Sequence, residues 1–330
     1  MVTELEGRIR RRLDSLTKPQ GSLGRLEELA LQVALIQGTD MPSVGRKAML
    51  LFCADHGVVE EGVSPFPQEV TRQMVENFRA GGAAITVLCR QYGIEPVTVD
   101  MGVGRPTRNF TREPAMSRAE AEQAMEVGRQ HANVGEVLGA GEMGIGNSTS
   151  AAALLCAFTG ADPSDAAGRG TGLDDAGVTH KAEVVRRGLV LHRPERMDAI
   201  GRLAALGGFE IAAIAGLILG AAELHRVVVL DGFISCSAAL VVRAMEPAAL
   251  DYVVYSHRSA ERGHRRMLEA LGARPLLDLD MRLGEGTGAA IGISLVESAV
   301  RLYREMATFE SAGVSTDVAP PPESRSDAGL

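Results

Sequence analysis

The sequence predicts an α/β protein built on a parallel sheet with helices packed on both faces. From residue 46 onward it contains six short, nearly continuous apolar runs, and segments of helical length separate most of them. Strands buried on both faces read this way, whereas a sheet with one wet face would alternate. Each run also ends in a polar or glycine-rich turn, which puts all the turns at strand C-termini, the edge where open α/β sheets bind ligands.

In chain order, Leu5, Ile9, Leu13 and Leu16 recur at helical spacing, Thr17–Gly24 breaks the pattern, and a second helix is expected from about Arg25 to Gln37. The apolar runs follow. Ala48–Cys53 leads into Ala54-Asp55-His56-Gly57, and Pro96–Val99 into Asp100-Met-Gly-Val-Gly104. Val137–Ala140 leads into Gly141-Glu142-Met-Gly-Ile-Gly146, and Val227–Leu230 into Asp231-Gly232-Phe233. Tyr252–Tyr255 leads into Ser256-His257-Arg258-Ser259, and Leu276–Leu279 into Met281-Arg-Leu-Gly284-Glu285-Gly286-Thr-Gly288. Helices are expected at Val70–Tyr92, Ser148–Phe158 and Ser237–Met245, with a last one from about Ile291 to Met306. Residues 1–40 with 290–330 read as a small helical domain, 41–289 as the large α/β domain, and Asp317 onward as a loose tail.

Composition narrows the function. The chain has 330 residues, 38 Gly, eight Phe, four Tyr and no Trp. Aliphatic side chains must therefore fill the core, and the glycine excess points to loops that approach a ligand closely. A net charge of −8 with no basic stripe disfavours nucleic acid. The longest apolar stretch, Ile211 to Ala222, is shorter than the roughly twenty residues a membrane span needs. The N-terminus lacks the apolar core of a signal peptide. Four scattered cysteines without a CxxC fit a reduced, cytoplasmic protein with neither disulfides nor a zinc site.

Several motifs carry chemistry. Gly139-Ala-Gly141-Glu142-Met-Gly144 matches GxGxxG, but a dinucleotide fold also needs an acid at the end of a second strand, and no strand precedes Asp162. The loop runs on to Asn147-Ser148-Thr149, which suits an anion at a helix start or, more simply, a helix cap. Gly168–Gly172 is a second glycine loop, followed by His180-Lys181 opening a helix, with Lys181 either a phosphate partner or a solvated cation. Glu285 stands between glycines at a strand end, where poor solvation raises a carboxyl toward general-base duty; accepting loop amides is the plainer role. Asp55 with His56 reads as turn stabilisation.

The strings Thr17-Lys-Pro-Gln-Gly-Ser-Leu-Gly-Arg-Leu-Glu, Cys53-Ala-Asp-His-Gly, Gly141-Glu-Met-Gly-Ile-Gly-Asn-Ser-Thr, Leu230-Asp-Gly-Phe and Met281-Arg-Leu-Gly-Glu-Gly-Thr-Gly-Ala-Ala occur in order. With them, the chain from about residue 10 to 310 resembles the nicotinate-nucleotide–dimethylbenzimidazole phosphoribosyltransferase family. The resemblance implies a Rossmann-like large domain, a small helical domain made from both termini, and a homodimer. It also implies transfer of phosphoribose from nicotinate mononucleotide to 5,6-dimethylbenzimidazole in cobalamin lower-ligand assembly, with inversion at C1′ and no cofactor or metal.

By the same resemblance Glu285 is the base. Nicotinate leaves as a neutral ring and needs no acid, so one carboxylate suffices, in contrast with the two of glycoside hydrolysis. Glu142 takes a supporting place near the ribose or the benzimidazole. Phosphate contacts fall to Gly144, Gly146, Asn147, Ser148, Thr149, Lys181 and Ser259, with Gly232 and Phe233 near the nucleotide. Phe66, Met74 and Leu283 are candidates for the apolar wall of the benzimidazole site. Phe66 stands where some relatives carry a small hydroxyl residue, which leaves the acceptor base open. The alternative is a catalytically silent nucleotide-binding protein, or an NAD-dependent enzyme, on the same fold.

Overall fold

A computed structural model describes residues 3–170 and 172–315; the expected tail from Asp317 lies outside them. Among the described residues five parallel strands form one sheet: β1 (Lys47–Cys53), β2 (Glu95–Asp100), β3 (Val137–Met143), β4 (Val227–Leu230) and β5 (Val253–Tyr255), in the order β2-β1-β3-β4-β5. Every pairing is parallel, so all five C-termini share one edge.

In β1, β3 and β4 the unbroken apolar runs reflect burial on both faces, whereas β2, at the sheet edge, is only partly buried. In β1, Ala48, Leu50 and Phe52 point into a core shared with the helices Arg118–Gln130, Asn147–Thr159, Phe209–Glu223 and Phe233–Met245. Met49, Leu51 and Cys53 point the other way, into a core completed by Ile9, Leu13, Val33, Ile293 and Val296 from the two ends of the chain. A bridge between Leu16 and Thr308, with the Thr17 N–H donating to the Ala307 carbonyl at 3.0 Å, joins those ends. The apolar stretch from Ile211 is a buried helix, Phe209–Glu223. Among the described residues no helix is long and apolar enough to cross a membrane.

Four expectations need correction. The run Leu276–Leu279 forms a single bridge to His257 rather than a sixth strand. Pro275 has no N–H to give the ladder, Asp278 pairs with Arg258, and Leu279 is exposed. The expected helix Val70–Tyr92 is two helices, Glu69–Ala80 and Ala84–Tyr92, because Gly81 (φ +77°) and Gly82 close the first by donating to the carbonyls of Phe78 and Asn77. His180 and Lys181 do not open their helix, which starts at Asp175 behind an Asp174 cap and carries Lys181 in its second turn. The GxGxxG pattern lies largely inside β3 rather than in a loop.

Candidate active site

The strand order turns back between β1 and β3, the point where a doubly wound sheet opens a crevice beyond its strand ends. A cavity of about 640 Å³ opens there. β3 and the turn after it contribute Glu142, Gly144, Asn147 and Ser148; the loop before the Thr287–Glu305 helix contributes Leu283 and Glu285; and the segment after β1 contributes Phe66 and Met74.

Glu285 is held in an uncommon backbone conformation. Its φ is +61°, between Gly284 at +83° and Gly286 at +86°, so three successive residues are left-handed. A non-glycine residue takes that conformation only where its surroundings impose it. Here the clamp is Asp231, at the end of β4. Its Oδ2 accepts from Gly286 N at 3.1 Å, and its Oδ1 from Gly288 N at 2.7 Å and Ala289 N at 3.1 Å. The helix behind has glycine at its N-cap and no cap of its own, so Asp231 supplies one from another strand. From the other side, Glu142 Oε1 accepts from Glu285 N at 3.3 Å while Asn147 Nδ2 donates to Glu142 Oε2.

Neither Asn147 nor Ser148 caps the Asn147–Thr159 helix, contrary to the simpler expectation. Gly146, at φ +94°, takes the N-cap position and leaves both side chains for the site. Gly144 is similarly required, since a Cβ there would stand 2.5 Å from the Ala54 carbonyl oxygen. Beneath this turn His56 is wholly buried, with Nε2 2.7 Å from Glu210 Oε1 and Nδ1 3.1 Å from Ser150 Oγ. Asp55 serves the next turn instead, its Oδ2 accepting from Gly104 N at 2.6 Å.

Glu285 is buried, and among the described residues its Oε2 has no hydrogen-bond partner. Loss of solvation, then the nearby Asp231 charge, pushes its carboxyl up to about 7. Glu142 rises to about 8, through burial first and then Asp231 and Glu210, against the opposing Asn147 hydrogen bond. Such a carboxyl can take a proton near neutrality, and Glu285 lines the cavity with one oxygen uncommitted to any partner among the described residues.

Basic side chains stand near the Ser148 part of the cavity. Lys181 is buried with its Nζ 3.1 Å from Ser148 Oγ, and a Cβ on Gly170 would stand 2.9 Å from that Nζ. Burial pulls its ammonium down to about 8. Lys181 thus lies just behind the cavity wall, reaching it through Ser148 and Gly170. Arg282 and Glu261 line the cavity itself; Arg282 falls within the Met281–Ala290 string without an assigned role, and Glu261 lies in none of the sequence motifs.

The other expected contacts lie further back. Gly146 packs under Val59, and Thr149 is buried, its Oγ1 without a partner among the described residues. Phe233 is core, against Gly263 and edge-on to His264. Gly232 faces His257 and Ser259, and Ser259 is turned to its own loop, its Oγ accepting from Glu261 N at 3.2 Å. The apolar wall is graded: Phe66 and Leu283 are about half exposed at the rim, while Met74, Met143, Ile145 and Ile234 lie deeper.

Known proteins share this fold. Over 326 residues, covering 93% of this chain and 92% of the relative, the sequence is 49% identical to the nicotinate-nucleotide–dimethylbenzimidazole phosphoribosyltransferase of Chloroflexus aggregans. The enzyme of that name from Ralstonia nicotianae is 49% identical, with 96% and 95% of the two chains covered. A crystal structure of CobT from Thermus thermophilus superimposes with a TM-score of 0.91 at 44% identity, covering 96% of this chain and all of that one. A phosphoribosyltransferase family profile, DBI_PRT, matches residues 1–314. The chain therefore belongs to the DBI_PRT phosphoribosyltransferase family.

Proposed function

We propose that the protein transfers phosphoribose from nicotinate mononucleotide to 5,6-dimethylbenzimidazole, releasing nicotinate and α-ribazole 5′-phosphate in cobalamin lower-ligand assembly. The observation that carries the reading is Glu285, a buried carboxylate with a free oxygen, forced into a left-handed loop at the floor of a largely apolar cavity. The attacking ring nitrogen bonds to C1′ as the bond to nicotinate breaks, and that bonding pair returns to the pyridine nitrogen, quenching its positive charge. Attack on the face opposite the leaving group inverts C1′. The second ring nitrogen of the acceptor then carries an acidic proton, which Glu285 takes.

Once ionised, Glu142 stabilises the positive charge that develops on the ribose. Ser148 and Lys181 hold the phosphate, with the amides of the Gly144–Thr149 turn. Met74 and Phe66 face the benzimidazole together with Leu283. Gly232, Phe233 and Ser259 act from behind, shaping the wall on which the nucleotide rests. The dinucleotide alternative has lost its sequence support, because Gly139 and Gly141 serve packing inside β3: a Cβ on Gly141 would stand 2.6 Å from the Glu285 carbonyl oxygen. The proposal extends to a cytoplasmic homodimer with a small helical domain from residues 1–40 and 290–330. The bridge between Leu16 and Thr308 brings the two terminal segments together, and four buried free cysteines fit a reducing compartment.

The test is product analysis by chromatography with nicotinate mononucleotide and a panel of benzimidazoles, purines and phenols. Wild type should form the α-riboside phosphate of dimethylbenzimidazole, and Glu285→Gln should lose turnover by orders of magnitude while still binding the nucleotide. Near-normal turnover in the variant would remove Glu285 from the base role, and no product with any acceptor would leave the silent protein as the better reading.

A further inference from the structure

The proposed mechanism leaves one buried charge in the cavity unused. Glu261 is 8% exposed and lines the cavity together with Ser148, Gly170 and Arg282. It sits so near the 168–170 strip that a Cβ on Gly168 would stand 2.0 Å from Oε2, and it interacts with the Gly170 N–H. Lys181 and Arg282 both feel its charge, yet among the described residues it forms a direct ion pair with neither. Among the same residues, the one hydrogen-bond partner of the Lys181 ammonium is Ser148 Oγ. An ammonium has three N–H donors, so this buried cation is left with donors to offer a ligand.

We propose that Glu261 is a resident counter-anion for the phosphate subsite, a residue that sets donor affinity by opposing phosphate rather than by touching it. The inference rests on the reading of Lys181 and Ser148 as the phosphate-holding pair. In the empty protein the buried Lys181 ammonium needs a nearby negative charge, since an uncompensated buried cation is costly, whereas the Arg282 guanidinium is exposed. When a phosphate monoester with a charge of about −1.5 to −2 arrives, it faces that fixed carboxylate across a poorly screened space. The cations then attract phosphate less than they would alone. The product also carries a phosphate, so the same opposition keeps it from being held too tightly, and binding energy common to substrate and product does nothing for turnover.

The sign of the effect sets this apart from a structural or contact role: removing Glu261 should improve binding. Titration calorimetry on the full chain with inorganic phosphate, nicotinate mononucleotide and nicotinate riboside would compare wild type with Glu261→Gln, Glu261→Ala and Lys181→Met. Both Glu261 variants should bind phosphate and the mononucleotide about five- to tenfold more tightly, roughly 1–1.4 kcal/mol, with riboside affinity unchanged. KM for the mononucleotide should fall with inhibition by phosphate strengthening in step. Lys181→Met should weaken both phosphate-bearing ligands. If it does so while the Glu261 variants bind phosphate no better than wild type, the counter-anion role is overturned and the phosphate reading stands. Should the Glu261 variants shift riboside affinity as much as that of the mononucleotide, Glu261 contacts the ribose and the proposal is likewise wrong. If Lys181→Met leaves phosphate binding untouched, the subsite itself is misplaced and the proposal falls with it. Two neutral replacements of different size separate loss of charge from loss of packing, and thermal unfolding of the unliganded variants reads their folding.

Discussion

Asp231 Oδ1 accepts the backbone N–H of Gly288 at 2.7 Å, which ties the end of β4 to the loop that presents Glu285. The same carboxylate takes the N–H groups of Gly286 and Ala289. Three donors that would otherwise be orphaned at a helix start are satisfied from a distant strand, and the left-handed loop is fixed by it. Asp231→Ala should therefore release the loop. Turnover is expected to fall about a hundredfold or more, with nicotinate mononucleotide affinity changed less than about threefold. Steady-state kinetics with a direct binding titration checks this; a variant whose KM rises while kcat holds would show that Asp231 does not position Glu285.

The pH dependence of the reaction follows from two neighbouring carboxyls. Glu285 stands at about 7 and Glu142 at about 8, each raised first by burial and then by the Asp231 charge. The base must be ionised to accept a proton. kcat/KM should climb with pH through about 7 and flatten above about 8, and the residual rate of Glu285→Gln should lack that climb. A flat wild-type profile from about pH 5 to 9 would count against a carboxyl base.

These raised values also make a statement about stability. Folding lifts the Glu285 carboxyl from its ordinary value of 4.5 to about 7, so the folded state binds that proton more tightly than the unfolded chain does. Its contribution is fully present below about 4.5 and is lost as pH rises through about 7. At about pH 8 the buried charge then costs the protein about 2–3 kcal/mol. Glu285→Gln should accordingly be more stable than wild type at about pH 8 and nearly equal at about pH 4.5. Urea unfolding at the two pH values reads the difference, and equal midpoint shifts at both would contradict it.

Much of the fold was legible because burial on both faces leaves a simple mark, as in Ala48–Cys53 and Val227–Leu230, whose runs became β1 and β4. The run at Leu276 failed because an apolar string says nothing about ladder partners, and Pro275 removes one. In the site, Glu285 could be picked out by its flanking glycines. Asp231 could not, since its partners begin 55 residues away and its service is to backbone amides. Glu261 and Phe233 illustrate the same gap. A motif locates a turn at the strand edge, but which of its side chains enters the cavity is set by packing, and Phe233 went to the core while Glu261 lines the site.

The glycine excess has a second cause that ligand loops do not cover. The helices Arg118–Gln130 and Phe209–Glu223 touch backbone to backbone: a Cβ on Gly128 would stand 1.7 Å from the Ala213 carbonyl oxygen, and one on Gly216 would stand 1.8 Å from that of Met125. Replacing glycine by alanine within a helix usually stabilises by up to about 1 kcal/mol, because glycine gives up more backbone freedom on folding. At Gly216 the sign should reverse. The methyl meets main chain that cannot step aside without separating two helices over several turns, and Gly216→Ala should cost about 3 kcal/mol or more. Gly7, in the Glu4–Ser15 helix, is the control: its Cβ would meet only the far end of the Arg11 side chain, at 3.3 Å, and Gly7→Ala should stabilise by about 0.5–1 kcal/mol. Chemical denaturation of the two variants beside wild type measures both signs at once. If Gly216→Ala matched Gly7→Ala in direction, close helix packing would not account for the glycines of the Phe209–Glu223 helix.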